Sequence, residues 1–194
     1  MLKQLSRHLD KEVIEFLEKD AHIKNLLADW LLLIDSIRGK TFTQNVTYGS
    51  TGHIVGKDSA NLSNLFNDYS FLVTPAYKAF EGYLYLLAEK LGIKTKEELD
   101  RETRIGSCYD IEEIEKLKKE IVSETGKKID KNDKEGVGRI SELKRVLELF
   151  RHSPAHYRGE RIDTFEKAEN HARTILNTIN ETTKYFIENG FLSL

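Results

Sequence analysis

The stretch Pro75–Leu91, PAYKAFEGYLYLLAEKL, is apolar on nearly every side when it is wound as a helix. Such a helix has no solvent face wide enough for a surface position, so it belongs in the middle of a helical bundle. Thr74 suits a helix N-cap and Pro75 the first helical position, so the helix is predicted to begin there.

Working toward the N-terminus, a helix of modest length is expected from Ser59 to Leu72. Residues 40–57, KTFTQNVTYGSTGHIVGK, alternate Thr, Val and Tyr with polar residues and are broken by Gly49, Gly52 and Gly56, which predicts a loop or a short hairpin. These glycines do not make a phosphate-binding loop, because Thr51 stands where the earlier glycine is required and Asp58 where Ser or Thr is required. Before them, Ile23, Leu26, Leu27, Trp30, Leu31, Ile34 and Ile37 recur at the spacing of one buried helical face, stopped by Gly39. Leu5 through Leu17 reads as a shorter, more polar helix.

Toward the C-terminus, residues 94–110 are polar and turn-like. Ile111, Ile114, Leu117, Ile121 and Val122 predict an amphipathic helix ending near Gly126, and residues 127–138, KKIDKNDKEGVG, an exposed connection. Ile140, Leu143, Leu147 and Phe150 form the next apolar stripe. Asp163 with Glu166 resembles a capping box opening a last helix through Phe165, Ala168, Ala172, Ile175, Leu176, Ile179 and Phe186, closed by Gly190. No repeat of 20–50 residues is visible. The expected fold is all-α: residues 1–58 supply N-terminal helices and a glycine-containing loop packed on a helical bundle of residues 59–194, one compact unit overall.

The 194 residues are enough to bury a real core, and 39% hydrophobic with 32% charged residues describes a folded, helix-rich chain rather than a disordered one. A formal net charge of −2 means that a polyanion would have to meet a local basic patch. Cys108 is the only cysteine, so an internal disulfide is ruled out and a reducing, cytoplasmic setting is expected. The N-terminus has no apolar core of a secretory signal, and the most apolar run, LLADWLLLI, is shorter than the ~20 residues of a membrane span.

One stretch carries chemistry: Phe150–Arg158, FRHSPAHYR. Pro154 has no N–H and disfavours the helical conformation at Ser153, so the helix holding Phe150 is predicted to end or kink there. The break lets the Arg151 guanidinium and the His156 imidazole, five residues apart, turn toward one pocket. RHSPAH resembles the R-x(4–6)-H motif of HEPN-domain proteins, which lies between the last two long helices of an α bundle. TPAYKAFEGYL is similar to the segment upstream of that motif in the RNase LS family of bacterial toxins, HEPN endoribonucleases of toxin–antitoxin and phage-defence systems. The resemblance covers roughly residues 60 to 190. It implies an HEPN-like bundle, Arg151 and His156 as catalytic residues, Glu81 as the active-site glutamate and Lys78 as the basic residue one turn earlier. It also implies RNA as substrate, a homodimer pairing two Arg/His sets in one cleft, and an antitoxin protein as partner. Related toxins commonly carry R-x(4)-H-x-Tyr, whereas here Tyr157 follows His156 directly and Arg158 holds the expected position.

These residue types suit RNA cleavage without a metal or other cofactor. An imidazole exchanges protons near neutrality, and a guanidinium offers a planar fork to two phosphate oxygens. Arg139, Lys144, Arg145, Arg151, Arg158 and Arg161 outnumber Glu142, Glu148 and Glu160 around the stretch, so His152, Tyr157, Arg158, Arg161 and Arg145 are candidates to bind RNA or support the site. The structural alternative is a helix-end cation at Arg151, a histidine satisfied by backbone at 156 and an ordinary i, i+3 pair of Lys78 with Glu81. His152 and His156 have the spacing of a zinc pair, but Pro154 spoils their shared face and no metal is expected. His171 shows no evident partner and is expected to be exposed, and Tyr77, Phe80, Tyr83 and Tyr85 fit either base stacking or a core. A non-catalytic HEPN-type module binding RNA or protein is the alternative function, with a dimeric scaffold as a third.

Overall fold

The computed structural model describes residues 2–38, 41–47, 54–61, 68–102, 105–109, 121–129, 133–151 and 162–194. The chain is mostly helical: α1 (Leu2–Leu5), α2 (Lys11–Leu17), α3 (Ala21–Ile37), α4 (Ser70–Lys90), α5 (Lys96–Leu99), a 3-10 helix (Ile105–Tyr109), α6 (Lys134–Arg151) and α7 (Phe165–Glu188). Two antiparallel ladders stand beside them among the described residues, β1 (Thr41–Thr47) with β2 (Ile54–Asn61) and β3 (Ile121–Val122) with β4 (Lys128–Ile129).

Helix α4 is the centre, as its composition requires. Leu72, Val73, Ala76, Ala79, Phe80, Tyr83, Leu84, Leu86, Leu87 and Ala88 are all buried, and α3, α6, α7 and the 3-10 helix pack around it. Burying each large side chain contributes about 1.5–3 kcal/mol, which is why the helix with the most such residues sits where it is covered from most directions. On α3, Ile23, Leu27, Trp30, Leu31 and Ile34 are buried, with Leu26 and Ile37 packed at the margin, the stripe that the spacing predicts. Gly82 lets α3 approach α4 closely, since a Cβ there would press on Ile23. The N-terminal helices join the same core, and the Asp10 backbone N–H donates to Asn180 Oδ1 at 2.8 Å while Lys184 Nζ donates to Asp10 Oδ2 at 3.1 Å.

Several expected boundaries move. Helix α4 begins at Ser70 rather than at Pro75, because Asp68 Oδ1 accepts from both Ser70 N (2.8 Å) and Ser70 Oγ (2.6 Å) and so fixes an earlier turn. Pro75 therefore lies inside the helix, where its ring removes the bond to the Phe71 carbonyl, and Thr74 Oγ1 bonds back to the Ser70 carbonyl instead of capping. The helix expected over Ser59–Leu72 is replaced at its start by β2, whose residues Asp58 to Asn61 pair in register with Gln44 to Thr41. Asp, Ser and Asn are weak helix formers, and a continuous ladder satisfies their backbone groups as well. The hairpin expected near residues 40–57 is thus present and reaches Asn61, with an irregularity between Val46 and Thr47. The 58/59 division falls within β2.

Ile121 and Val122 do not end a helix. They pair with Ile129 and Lys128 across a turn at Gly126, with Ile121 and Ile129 buried. Residues 111–120, where the rest of that expected helix falls, lie outside the described residues. The charged connection expected through residue 138 stops earlier, since α6 opens at Lys134 with Gly136 N donating to Asp133 Oδ1 at 2.9 Å. Residues 2–17 form two short helices rather than one. Thr95 and Glu98 make a reciprocal capping box that gives α5 one turn within the polar 94–110 stretch. The last helix is capped by Thr164, which accepts from Lys167 N, while Asp163 pairs with Lys167 at 2.9 Å. Gly190 closes α7 as expected, at φ 69°.

Candidate functional site

Lys78 and Glu81 lie on the outer edge of α4, where both are exposed. They share that edge because residues three apart on a helix are neighbours. Among the described residues neither makes an ion pair, so the i, i+3 bridge is not formed. Their charges face solvent next to Tyr85, whose phenol is pushed above its usual value by burial first and then by the Glu81 and Glu102 charges.

Tyr77, just before Lys78, turns toward α7. Its hydroxyl lies 2.9 Å from His171 Nδ1, joining α4 to α7 across a partly buried seam. Burial raises the Tyr77 phenol far above its ordinary value, so it keeps its proton at any physiological pH. His171 is thus neither fully exposed nor without a partner, contrary to the expectation from sequence. The signal that locates it is tertiary, because Tyr77 and His171 are 94 residues apart. Phe80 and Tyr83 are buried, so they are core rather than base-stacking surfaces, and Tyr83 Oη pairs with Thr183 Oγ1 at 3.0 Å. Tyr85 is half-buried and donates to the Glu102 carbonyl.

Helix α6 is described as far as Arg151. The side chain of Arg151, and all of His152, His156, Tyr157, Arg158 and Arg161, lie outside the described residues. Ile162 is buried, and its carbonyl accepts from Tyr69 N at 2.7 Å, so the chain that follows the RHSPAH stretch meets the beginning of α4. Two residues later Thr164 opens α7.

Arg139, Lys144 and Arg145 of α6 are paired on their own helix. Arg145 grips Glu142 through Nε (2.7 Å) and Nη2 (2.6 Å), and that guanidinium holds the Glu142 carboxyl below its usual value. Arg139 meets Glu135 at 3.5 Å and Lys144 meets Glu148 at 3.9 Å. Three of the six cations counted along the sequence, Arg139, Lys144 and Arg145, are therefore offset within α6. Arg145 faces solvent with its fork already occupied.

A groove of about 610 Å³ lies beyond Glu81 along α4, between Tyr85, Leu86 and Leu99 and a mixed rim that includes Lys96 and Asp100. Cys108 is a buried free thiol raised by that burial, which makes it a poor nucleophile. Among the described residues no three His, Cys, Asp or Glu side chains gather to hold a metal. No described helix is long and apolar enough to cross a membrane.

Compared with protein-family models, curated proteins and solved structures, the chain finds no match. Any functional reading therefore rests on its own residues.

Proposed function

We propose that this chain is a metal-independent endoribonuclease of the HEPN type, the toxin of a toxin–antitoxin or phage-defence system, acting in the cytoplasm as a homodimer restrained by an antitoxin protein. The observation that carries the reading is the Arg151-x(4)-His156 spacing in the connection between α6 and α7 of a mostly helical fold, with the return of that connection to the foot of α4.

Chain geometry supports the grouping of residues. His156 is five residues from Arg151 and six from Ile162, so it lies within about 20 Å of either at full extension. Ile162 touches Tyr69, and Lys78 is nine residues further along α4, a rise of about 14 Å. The length of chain between His156 and Ile162 allows the imidazole to meet Lys78 and Glu81. Both are solvent-facing on a helix that buries ten side chains between Leu72 and Ala88, and neither is neutralised by a neighbour among the described residues.

In the proposed reaction a base removes the 2′-OH proton, O2′ bonds to phosphorus and the P–O5′ bond breaks, with a proton delivered to O5′. His156 serves in this exchange, Arg151 forks two phosphate oxygens, and Lys78 adds charge where the phosphorane becomes more anionic. Glu81 orients a cation or an imidazole. The products carry a 2′,3′-cyclic phosphate and a 5′-hydroxyl. Two protomers pairing across the Arg151–His156 segment double the set in one cleft.

The test is incubation of the purified chain and its His156→Ala variant with mixed RNA in EDTA, followed by end-group analysis. Cleavage with cyclic-phosphate ends that disappears in the variant supports the proposal. RNA binding without cleavage in both proteins replaces it with the non-catalytic HEPN-type module, and a monomer in light scattering removes the composite site.

A further inference from the structure

The groove beside α4 takes no part in the proposed reaction. Its walls come from the junction of α2 and α3, from the last turns of α4, and from α5 with the residues just after it. Leu86 and Leu99, both buried, and the half-buried Tyr85 line it with apolar surface. Its volume of about 610 Å³ far exceeds the roughly 30 Å³ share of one water, so it has room for a stretch of chain rather than for a lone ion.

Charges of both signs stand around it, and they are not equally committed. Lys19 Nζ reaches Glu124 at 3.3 Å and the Ser193 carbonyl at 2.8 Å, and Lys90 Nζ reaches Glu124 at 3.3 Å. Glu124 does not line the groove, so both ammonium groups are held by a carboxylate outside it. On the acidic side, Glu102 is answered by Lys94. Three lining carboxylates remain. Among the described residues Asp100 takes no ion pair, and Asp20 accepts only the backbone N–H of His22, at 2.9 Å. Glu89 has only Lys90, at 4.0 Å, an ammonium that it shares with Glu124. Against these three stands Lys96, the one lining lysine without an ion pair among the described residues. What the groove offers an occupant is apolar surface beside a surplus of negative charge.

We propose that this groove docks a segment of a partner protein that presents an arginine beside apolar residues. Charge complementarity selects the occupant. An arginine lays its methylene stem along apolar surface, here Tyr85, Leu86 and Leu99, while its head stays among polar groups, here Asp20, Glu89 and Asp100. Its planar guanidinium forks a carboxylate more closely than an ammonium does. An RNA strand would bring phosphates against the same three carboxylates, and like charges repel. The inference goes beyond the nuclease reading and stands without it, since it uses neither Arg151 nor His156.

The test follows the backbone amide resonances of Gly82, Leu86, Leu99 and Asp100 in the ¹⁵N-labelled full chain while the peptide acetyl-Leu-Arg-Leu-amide is added. A second titration uses the same peptide with citrulline, which keeps the shape of arginine and lacks its charge. The arginine peptide should move these amides saturably, and citrulline should raise Kd about tenfold or more, the loss of a charged hydrogen bond. Asp100→Asn, an exposed change at the end of α5, should raise the Kd of the arginine peptide by about fivefold, as for a half-exposed ion pair. Glu181→Gln, an exposed carboxylate on α7 that does not line the groove, should leave it unchanged and so separates a local contact from net charge. Amides unmoved at about 10 mM peptide overturn the proposal, as do equal affinities for arginine and citrulline. A 2′-O-methyl RNA oligonucleotide that moves these amides where the peptide does not also overturns it, in favour of RNA. No arm depends on cleavage, so a chain that leaves RNA intact ends the nuclease reading and leaves this result standing.

Discussion

Replacing Gly92 by alanine tests how the end of α4 is built. Gly92 has φ 68°, and the turn it makes returns Gly92 N to the Glu89 carbonyl at 3.0 Å and Ile93 N to the Ala88 carbonyl at 2.9 Å. A residue with a Cβ at this φ costs about 1–2 kcal/mol. Removing glycine also stiffens the unfolded chain, which returns about 0.4–1 kcal/mol. Gly126 shows the same backbone strain without crowding, at φ 79° with nothing within 4 Å of an added Cβ. Gly126→Ala should therefore cost about 1 kcal/mol.

At Gly92 the added Cβ would sit deep inside the contact radius of the Val122 carbonyl oxygen. Alanine has no rotamer to relieve that overlap, and the oxygen is backbone. The β3–β4 hairpin must shift. That loosens the bond from Glu124 N to the Lys90 carbonyl, now 3.0 Å, at about 1 kcal/mol, and adds an overpacking cost of about 1–3 kcal/mol. The expected total is about 3 kcal/mol or more, a fall in Tm of roughly 6–12 °C for a chain of this size. Urea unfolding of both variants, followed by circular dichroism, measures the difference between them. Equal losses in the two would refute the close approach of the hairpin to the helix end.

Three further outcomes follow from specific contacts. Tyr83→Phe leaves the buried Thr183 hydroxyl without its 3.0 Å partner and should cost about 1–2 kcal/mol in the same unfolding assay. Glu124 accepts from Lys19 Nζ (3.3 Å), Lys90 Nζ (3.3 Å), Ser193 N (3.2 Å) and Ser193 Oγ (2.8 Å). Burial works to raise its carboxyl, but the bonds from Ser193 and Lys90 and the Lys19 charge outweigh it and bring it below 4.5. With the folded value depressed, its stabilisation is present above the unfolded value and lost as pH falls through the folded one. The urea midpoints of wild type and Glu124→Gln should differ at pH 7 and converge below pH 4.5. Tyr185 donates to Asp133 Oδ1 at 2.8 Å and is pushed up to about 12, by burial first and then by Asp133. Its contribution is held below the unfolded value of 10 and lost as pH rises toward 12, so in an ultraviolet pH titration the difference between wild type and Asp133→Ala should be one tyrosine that ionises earlier in the variant.

Particular residues show where sequence reading reaches and where it stops. The α3 stripe from Ile23 to Ile34 was legible because burial of one face repeats every three or four residues. Gly190 was legible as a helix stop because a left-handed turn favours glycine. Pro75 misled, since a proline near a Thr looks like a helix start, while the turn in which Asp68 accepts from Ser70, seven residues before the proline, decided the boundary. Ile121 and Val122 misled too, because a two-residue strand has too few residues to display a period. Of the candidate site, Lys78 and Glu81 were legible as polar residues on an apolar helix, whereas the Tyr77–His171 contact and the pairing of Arg145 by Glu142 were not.

By itself, then, the amino-acid order determined that the segments of α3, α4 and α7 wind into helices with a buried face, that α4 is the central one, and that an Arg-x(4)-His spacing falls between the last two long helices. All three depend on neighbours a few residues apart, whose spacing can be counted along the chain. Only the tertiary structure decided that Tyr77 of α4 meets His171 of α7, that Ile162 returns to Tyr69, and that β3 and β4 cover the end of α4. Those partners are set by how helices cross and which faces are left to meet, a balance of packing over the whole core that no local pattern records.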